Sequence, residues 1–211
     1  MNSQKKILEE NLKNEPNNID ILLKLALLEV DPPEGDEILC AQYIEKILAL
    51  DEQNVNGLLL LAYFKHYILM EHADENLMQS LTSLQTSCNE VNSMLRYAAS
   101  WFFFFRGDEE KEIECLRKSI NYYQGHVWNY VGLGRSYLLQ GKNTEGKELI
   151  RRALSNVKVI YSGQGAEYDG TNISHFLDHH FKGICLTQPQ LELIQEDLII
   201  ASSMMLDKSK A

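Results

Sequence analysis

The residues best suited to chemistry by type and spacing are three near the C-terminus, His175, Asp178 and His179. On a helix, positions i, i+3 and i+4 share one face, so two imidazoles and a carboxylate could hold a divalent metal ion there. A metal-binding protein or an enzyme built on these histidines is therefore one hypothesis. Against it, His180 is adjacent and no further ligand is evident. We favour histidines that pack against a helix or lie on the surface, and expect no metal site.

The other reactive residues lack the arrangement that catalysis needs. Four cysteines lie far apart without a CxxC pair, which argues against metal ligation or a disulfide framework and favours a reducing compartment: Cys40, Cys88, Cys115 and Cys185. The glycine-rich stretch 162–172 lacks the GxxxxGK[ST] pattern of a phosphate-binding loop. We find no nucleophile elbow and no carboxylate pair with an evident site. The sequence therefore predicts a protein that is not an enzyme and uses no cofactor.

Composition restricts the class of partner. Hydrophobic residues make up 45% of the 211, enough for a sizeable core, and 12 Gly with 4 Pro favour long helices. A net charge of −10 argues against nucleic acid or an anionic membrane as partner. The densest apolar run, 58–64, is far too short to span a membrane, and the N-terminus has no apolar signal core. We expect a soluble, cytoplasmic protein.

An internal repeat organises most of the chain. Its best copy places large and small residues at helical spacing on both sides of a glycine turn: Tyr130, Leu133, Gly134, Tyr137, Gly141, Gly146, Ile150 and Ala153. Small residues are needed where two antiparallel helices approach closely, and large ones fill the gaps between them. Gly107 lies 34 residues before Gly141, at the corresponding turn. This pattern resembles the tetratricopeptide repeat (TPR) family.

The resemblance covers about three quarters of the chain and implies an all-α fold. We predict a TPR-like repeat domain over 1–161, made of a half repeat 3–16 and repeats 17–52, 53–89, 90–124 and 125–158. The family forms a right-handed α-solenoid, a superhelix of antiparallel helix pairs. Residues 162–211 are expected to form a glycine-rich loop and C-terminal capping helices at 173–182 and 190–205, because a solenoid must cover the apolar face of its last repeat. Entry of these helices into the groove, or dimerisation through them, is the alternative.

The resemblance also implies where a partner binds, since the first helices of such repeats line a concave groove. The positions of this chain that match the groove are Tyr63, His66, Tyr67, Arg96, Tyr97, Phe103, Phe104, Trp128 and Arg135. Aromatic residues and Arg dominate binding hot spots. The run 101–105 sweeps about 400° around a helix, so some of its aromatic side chains must point away from the core. The groove lacks the lysines of the family's carboxylate clamp.

Three functions remain open at this point. We favour a protein–protein interaction module that takes a polypeptide partner into an aromatic concave groove, for example as a chaperone or adaptor. The second is an immunity or inhibitor protein that covers a folded enzyme with the whole solenoid. The third is the metal protein or enzyme centred on the C-terminal histidines. The sequence names neither the partner nor the oligomeric state.

Overall fold

Short polar side chains begin several helices of this chain. Asp36 accepts hydrogen bonds from two backbone N–H groups of the helix that follows it, at 2.9 and 3.1 Å. Asn54 accepts one from the N–H of Gly57 at 3.0 Å, and Asp74 accepts one from that of Leu77 at 2.9 Å. The first N–H groups of a helix have no partner within it, so these caps set where the helices start.

A computed structural model describes residues 3–30, 35–157 and 169–183. Ten α-helices lie in these ranges, with no β-strand: α1 (Ser3–Asn14), α2 (Ile19–Val30), α3 (Glu37–Leu50), α4 (Val55–Tyr63), α5 (Glu75–Ser83), α6 (Asn89–Phe105), α7 (Glu109–Tyr122), α8 (Trp128–Leu139), α9 (Asn143–Asn156) and α10 (Ile173–Leu177). Two of them continue as one π-helical turn, α4 through Phe64–Ile68 and α10 through Asp178–Lys182.

The helices pack as successive pairs. Helix α2 pairs with α3, α4 with α5, α6 with α7 and α8 with α9, while α1 packs on α2 as an unpaired first element. Lys5 of α1 reaches the buried carboxylate of Glu29 on α2 at 2.5 Å. Gly107 and Gly141 follow the first helices of two pairs with φ of 72° and 77°, a left-handed conformation that favours glycine. An all-α solenoid of helix pairs is thereby confirmed.

One continuous apolar core runs through the first three pairs and includes side chains from the C-terminal part. Leu22, Leu60 and Leu95 of three first helices are fully buried in it, together with Phe176 and Phe181. Smaller clusters join α7, α8 and α9. Burial of an aromatic or branched side chain stabilises the fold by about 1.5–3 kcal/mol, so the two phenylalanines anchor residues 173–182 to the solenoid.

The described part of the predicted cap has a different location from the one expected. Helix α10 packs on α2, and its π-helical continuation packs on α6 and α8. These are first helices, whereas a cap for the last repeat would lie on α9. The second helix expected at 190–205 lies outside the described residues, so the prediction of a terminal cap stays a prediction.

Candidate protein-binding groove

The four first helices share one face of the solenoid. The residues 173–183, here called the C-terminal segment, lie across this face. The segment packs on α2, α6 and α8, and its Phe176 ring lies 4.9 Å from that of Tyr63 on α4. One short segment can contact all four first helices only if they line the same side. This side is the groove that the repeat pattern predicts.

Beside the C-terminal segment the groove opens into a pocket of about 140 Å³. The pocket is lined from α6, α7, α8 and the π-helical end of α4 by aromatic, small and a few charged side chains: His66, Tyr67, Tyr97, Ser100, Trp101, Phe104, Phe105, Glu112, Leu116, Trp128, Val131, Gly132 and Arg135. Six of the nine predicted groove residues are among them. The structure therefore brings most of the predicted set together.

Trp101 is the centre of the aromatic wall. Its ring stacks on His66 at 4.7 Å between centroids, and the edges of Tyr97 and Tyr67 approach at 5.1 and 5.4 Å. Only 7% of Trp101 is exposed, so the side chains around it form the solvent-facing surface of the wall. Burial raises the pKa of both Tyr67 and Tyr97, so these phenols stay neutral hydrogen-bonding groups at neutral pH.

A pair of histidines, His66 and His72, packs next to the aromatic wall. The Nδ1 atom of His66 lies 3.0 Å from the Nε2 atom of His72, and the His72 ring stacks on Phe105 at 4.1 Å. Burial, and to a lesser extent the neighbouring His72, lower the pKa of His66 to about 4. Two rings at this distance share one hydrogen bond when both are neutral. The pair thus fixes the end of α4 next to the pocket.

Arg135 supplies the pocket with positive charge. Its guanidinium lies 4.2 Å from the centroid of the Phe104 ring and 3.5 Å from the Glu112 carboxylate. Burial raises the pKa of Glu112, while Ser136, which donates a hydrogen bond at 3.1 Å, and Arg135 oppose the shift. About half of the Arg135 side chain is exposed. It can therefore donate to a carbonyl or carboxylate of a bound polypeptide.

Arg96 and Phe103 are not brought to this pocket. The Arg96 guanidinium is buried and donates to the carbonyl of Leu84 at 3.0 Å and to that of Leu81, both at the end of α5. Phe103 is buried in the main core, with the Lys111 ammonium 5.6 Å from its ring centroid. Both side chains thus point toward second helices.

Tyr63 and Trp128 lie under the C-terminal segment. The Tyr63 ring contacts Phe176 at 4.9 Å and His180 at 4.5 Å. The indole Nε1–H of Trp128 donates to the carbonyl of His179 at 2.9 Å. Burial lowers the pKa of His180 to about 3, so this ring is neutral where it packs. These two predicted groove residues bind part of the chain itself.

A buried polar cluster was not predicted from the sequence. The Ser93 hydroxyl lies 2.9 Å from both the Ser119 hydroxyl and the Nδ1 atom of His126, and Asn129 donates to Ser119 at 3.2 Å. Spacing along the chain does not reveal these contacts, because they join three different helices and a loop. The cluster holds α6, α7 and the start of α8 together, which places Trp128.

Each of the three residues considered for metal binding makes a contact with a different part of the structure. His175 Nδ1 accepts a hydrogen bond from the backbone N–H of Asp169 at 3.2 Å, and Asp178 pairs with Lys182 at 2.8 Å. The His179 carbonyl is bound by Trp128. Within the described ranges, no group of three or more His, Cys, Asp or Glu side chains is arranged to hold a metal ion.

The solved structures that resemble this chain include two crystal structures of MamA. Each is 23% identical over 72% of this chain; one gives a TM-score of 0.57 over 85% of MamA, and the other 0.55 over 80%. No family model and no curated protein matches the chain. At this identity the likeness concerns the fold, a TPR-like helical solenoid. None of the helices in the described ranges combines the length and apolar character that a membrane crossing requires.

Proposed function

We propose that this protein is a non-enzymatic scaffold that binds a polypeptide partner in the aromatic groove formed by its first helices. The observation that carries this proposal is the pocket itself, where Tyr67, Phe104 and Arg135 remain accessible beside the buried side chains of His66 and Trp101. Of the Tyr67 and Phe104 side chains, 44% and 39% are exposed. Such residues on a rigid surface are typical binding hot spots. A chaperone or adaptor role in the cytoplasm fits this chemistry.

The pocket favours a peptide with an apolar anchor next to a polar main-chain or acidic group. The aromatic wall offers apolar area, and Arg135 offers a fork of donors at its rim. The hydroxyls of Tyr67 and Tyr97 add neutral donors near the wall. A purely acidic peptide would meet only this one arginine, within a chain of net charge −10, and is therefore disfavoured.

A phage-displayed random peptide library panned on the full chain tests the proposal. The affinity of one enriched peptide is then measured by fluorescence anisotropy for the wild type, Phe104→Ala, Arg135→Ala and the control Ile38→Ala. Ile38 is 71% exposed on α3, a second helix. Loss of a true anchor costs about 2 kcal/mol or more, so the two groove variants should bind about 30-fold more weakly, while Ile38→Ala binds normally.

The melting temperature serves as the structural control. All three side chains have substantial exposure, so the variants should melt within a few degrees of the wild type. Equal affinity across the four proteins would contradict the proposal. If no peptide is enriched but a folded protein co-purifies, the scaffold would instead cover a folded partner, as an inhibitor does.

A further inference from the structure

The C-terminal segment occupies the groove in the manner of a bound peptide. It forms one short helix that pairs with no other helix of the described ranges, and it touches all four first helices. Phe176 and Phe181 are its anchors, with 1% and 0% of their surface exposed. The Phe181 ring lies 5.1 Å from Trp101, the centre of the pocket wall. The segment and the open pocket are therefore parts of one continuous surface.

The π-helical turn explains the spacing of the two anchors. In an α-helix, side chains five positions apart differ in direction by about 140° and cannot both face one surface. The wider π-helical turn at Asp178–Lys182 reduces this difference, so Phe176 and Phe181 both point into the groove. The surface thus selects a helix with a local widening between two aromatic residues.

The C-terminal end of the segment helix is bound through its backbone carbonyls, which every helix has. The backbone N–H of Val127 donates to the carbonyl of Lys182 at 2.6 Å, and the Trp128 indole donates to that of His179 at 2.9 Å. The last carbonyls of a helix have no partner within it, so these donors recognise a helix C-terminus rather than a particular side chain.

Two further contacts are specific to residue type. The Lys182 ammonium pairs with Glu90 of α6 as well as with Asp178. Gly183 has a φ of 65°, and a Cβ atom there would lie 2.6 Å from the Trp128 ring. A basic residue followed by glycine is therefore required directly after the second aromatic anchor.

We propose that the C-terminal segment is an exchangeable occupant of the groove, and that a partner helix with the same pattern replaces it. The pattern is two aromatic residues five positions apart, then a basic residue and glycine. This inference rests on the proposed function and adds the partner's chemistry. Isolated helices of this length are marginal in water, so the segment is helical only while it is bound. None of the four helix pairs includes a residue of the segment.

A synthetic peptide of residues 169–183, labelled at its N-terminus, is the probe. Its affinity is measured by fluorescence anisotropy for the full-length wild type and for the full-length double variant Phe176→Ala/Phe181→Ala, whose own segment has lost its anchors. The double variant should bind the peptide at least about 10-fold more tightly than the wild type, because its groove is free. A peptide with both phenylalanines replaced by alanine should not bind.

A charge exchange tests the specific contact. Glu90→Lys in the double variant should abolish binding of the natural peptide and restore binding of a peptide that carries Lys182→Glu. Recovery in the doubly exchanged pair shows that the peptide occupies the place of the segment, since an unrelated site would not respond to Glu90.

Hydrogen exchange on the wild type keeps the proposal testable if the double variant does not fold. Amides of 173–183 should exchange faster than those of α6 and α7, and a large excess of the peptide should remove their remaining protection. Three results would overturn the proposal: peptide binding to neither protein, protection of 173–183 equal to that of α6 with no response to peptide, or a dimer in which two copies exchange their segments. In each case library peptides that depend on Phe104 and Arg135 would still support the proposed function.

Discussion

His126 connects the interior of the solenoid to the groove. It is fully buried, hydrogen-bonded to Ser93, and its Nε2 atom lies 3.9 Å from Glu90, the partner of Lys182. Burial and the charge of Lys182, opposed by Glu90, lower the pKa of His126 to about 4. The ring is therefore neutral in the folded protein at neutral pH.

Acid should destabilise the protein through this histidine. Between pH 6.5 and about 4 the unfolded chain binds a proton at His126 that the folded protein does not, so the free energy of unfolding falls as the pH falls. The expected loss is up to about 3 kcal/mol across this window. His126→Gln should reduce the pH dependence of the free energy of unfolding in urea titrations, leaving the contributions of His66 and His180, whose pKa values burial also lowers. Ser93→Ala removes the hydrogen bond but keeps the imidazole, so it should lower the free energy of unfolding without changing its slope against pH. Parallel curves for His126→Gln and the wild type would show that His126 does not contribute to the pH dependence.

Neighbouring residues of α6 show where prediction from the sequence stops. Tyr97 and Phe104 line the pocket, whereas Arg96 and Phe103 are buried toward α5 and α7. One residue turns a helix by about 100°, so the residue pairs 96–97 and 103–104 straddle the edge of the groove. The repeat pattern predicts which helix lines the groove, but not its rotation to within one residue. Rotation depends on packing against α5 and α7, which no spacing along the chain encodes.

At the scale of elements, helices α8 and α9 approach each other closely where they cross. A Cβ atom on Gly146 would lie 2.7 Å from Leu138 Cγ and 2.9 Å from the backbone oxygen of Gly134. A backbone atom cannot move aside as a side chain can. Small residues at this crossing are what the sequence pattern predicts, and the structure supplies the reason.

Gly146→Ala should therefore weaken the last helix pair. Overpacking at a helix crossing costs about 1–3 kcal/mol, more than the gain in helix propensity from alanine. Gly132→Ala is the matched control, because its Cβ would meet only the flexible end of Leu116 at 3.1 Å. We expect Gly132→Ala to stay within about 1 kcal/mol of the wild type in thermal unfolding. Equal destabilisation by both substitutions would show that the crossing tolerates a methyl group.

The second pair departs from the regular repeat in a way the sequence did not indicate. Helix α4 ends in a π-helical turn at Phe64–Ile68, and Met70 follows with a φ of 54°. The sequence pattern in this repeat is degenerate, and a π-turn leaves no distinct spacing of apolar residues. The turn nevertheless places His66 and Tyr67 in the pocket wall. Part of the pocket wall thus comes from this irregular turn.

At the scale of the whole molecule, the position of the C-terminal segment is the main difference from expectation. The sequence indicates a helix at 173–182, which the structure contains as α10 and its π-helical turn. An apolar face shows that a helix must be covered, but not by which surface. In the groove, Tyr63 and Trp101 pack against the aromatic anchors. Val127 and Trp128 donate hydrogen bonds to the carbonyls at the helix end.

The two tryptophans of the chain allow release of the segment to be observed directly. Trp101 packs against Phe181 and Trp128 donates to His179, so both report on the same contact. In the full chain, Phe176→Ala/Phe181→Ala should shift the tryptophan emission to longer wavelength, because water reaches both indoles. Far-UV circular dichroism should lose only the signal of one short helix, since the four helix pairs remain. Ile38→Ala, an exposed change on α3, should alter neither spectrum. Unchanged emission in a folded double variant would show that the indoles are shielded without the segment, whereas loss of most helical signal would make the segment an essential part of the core.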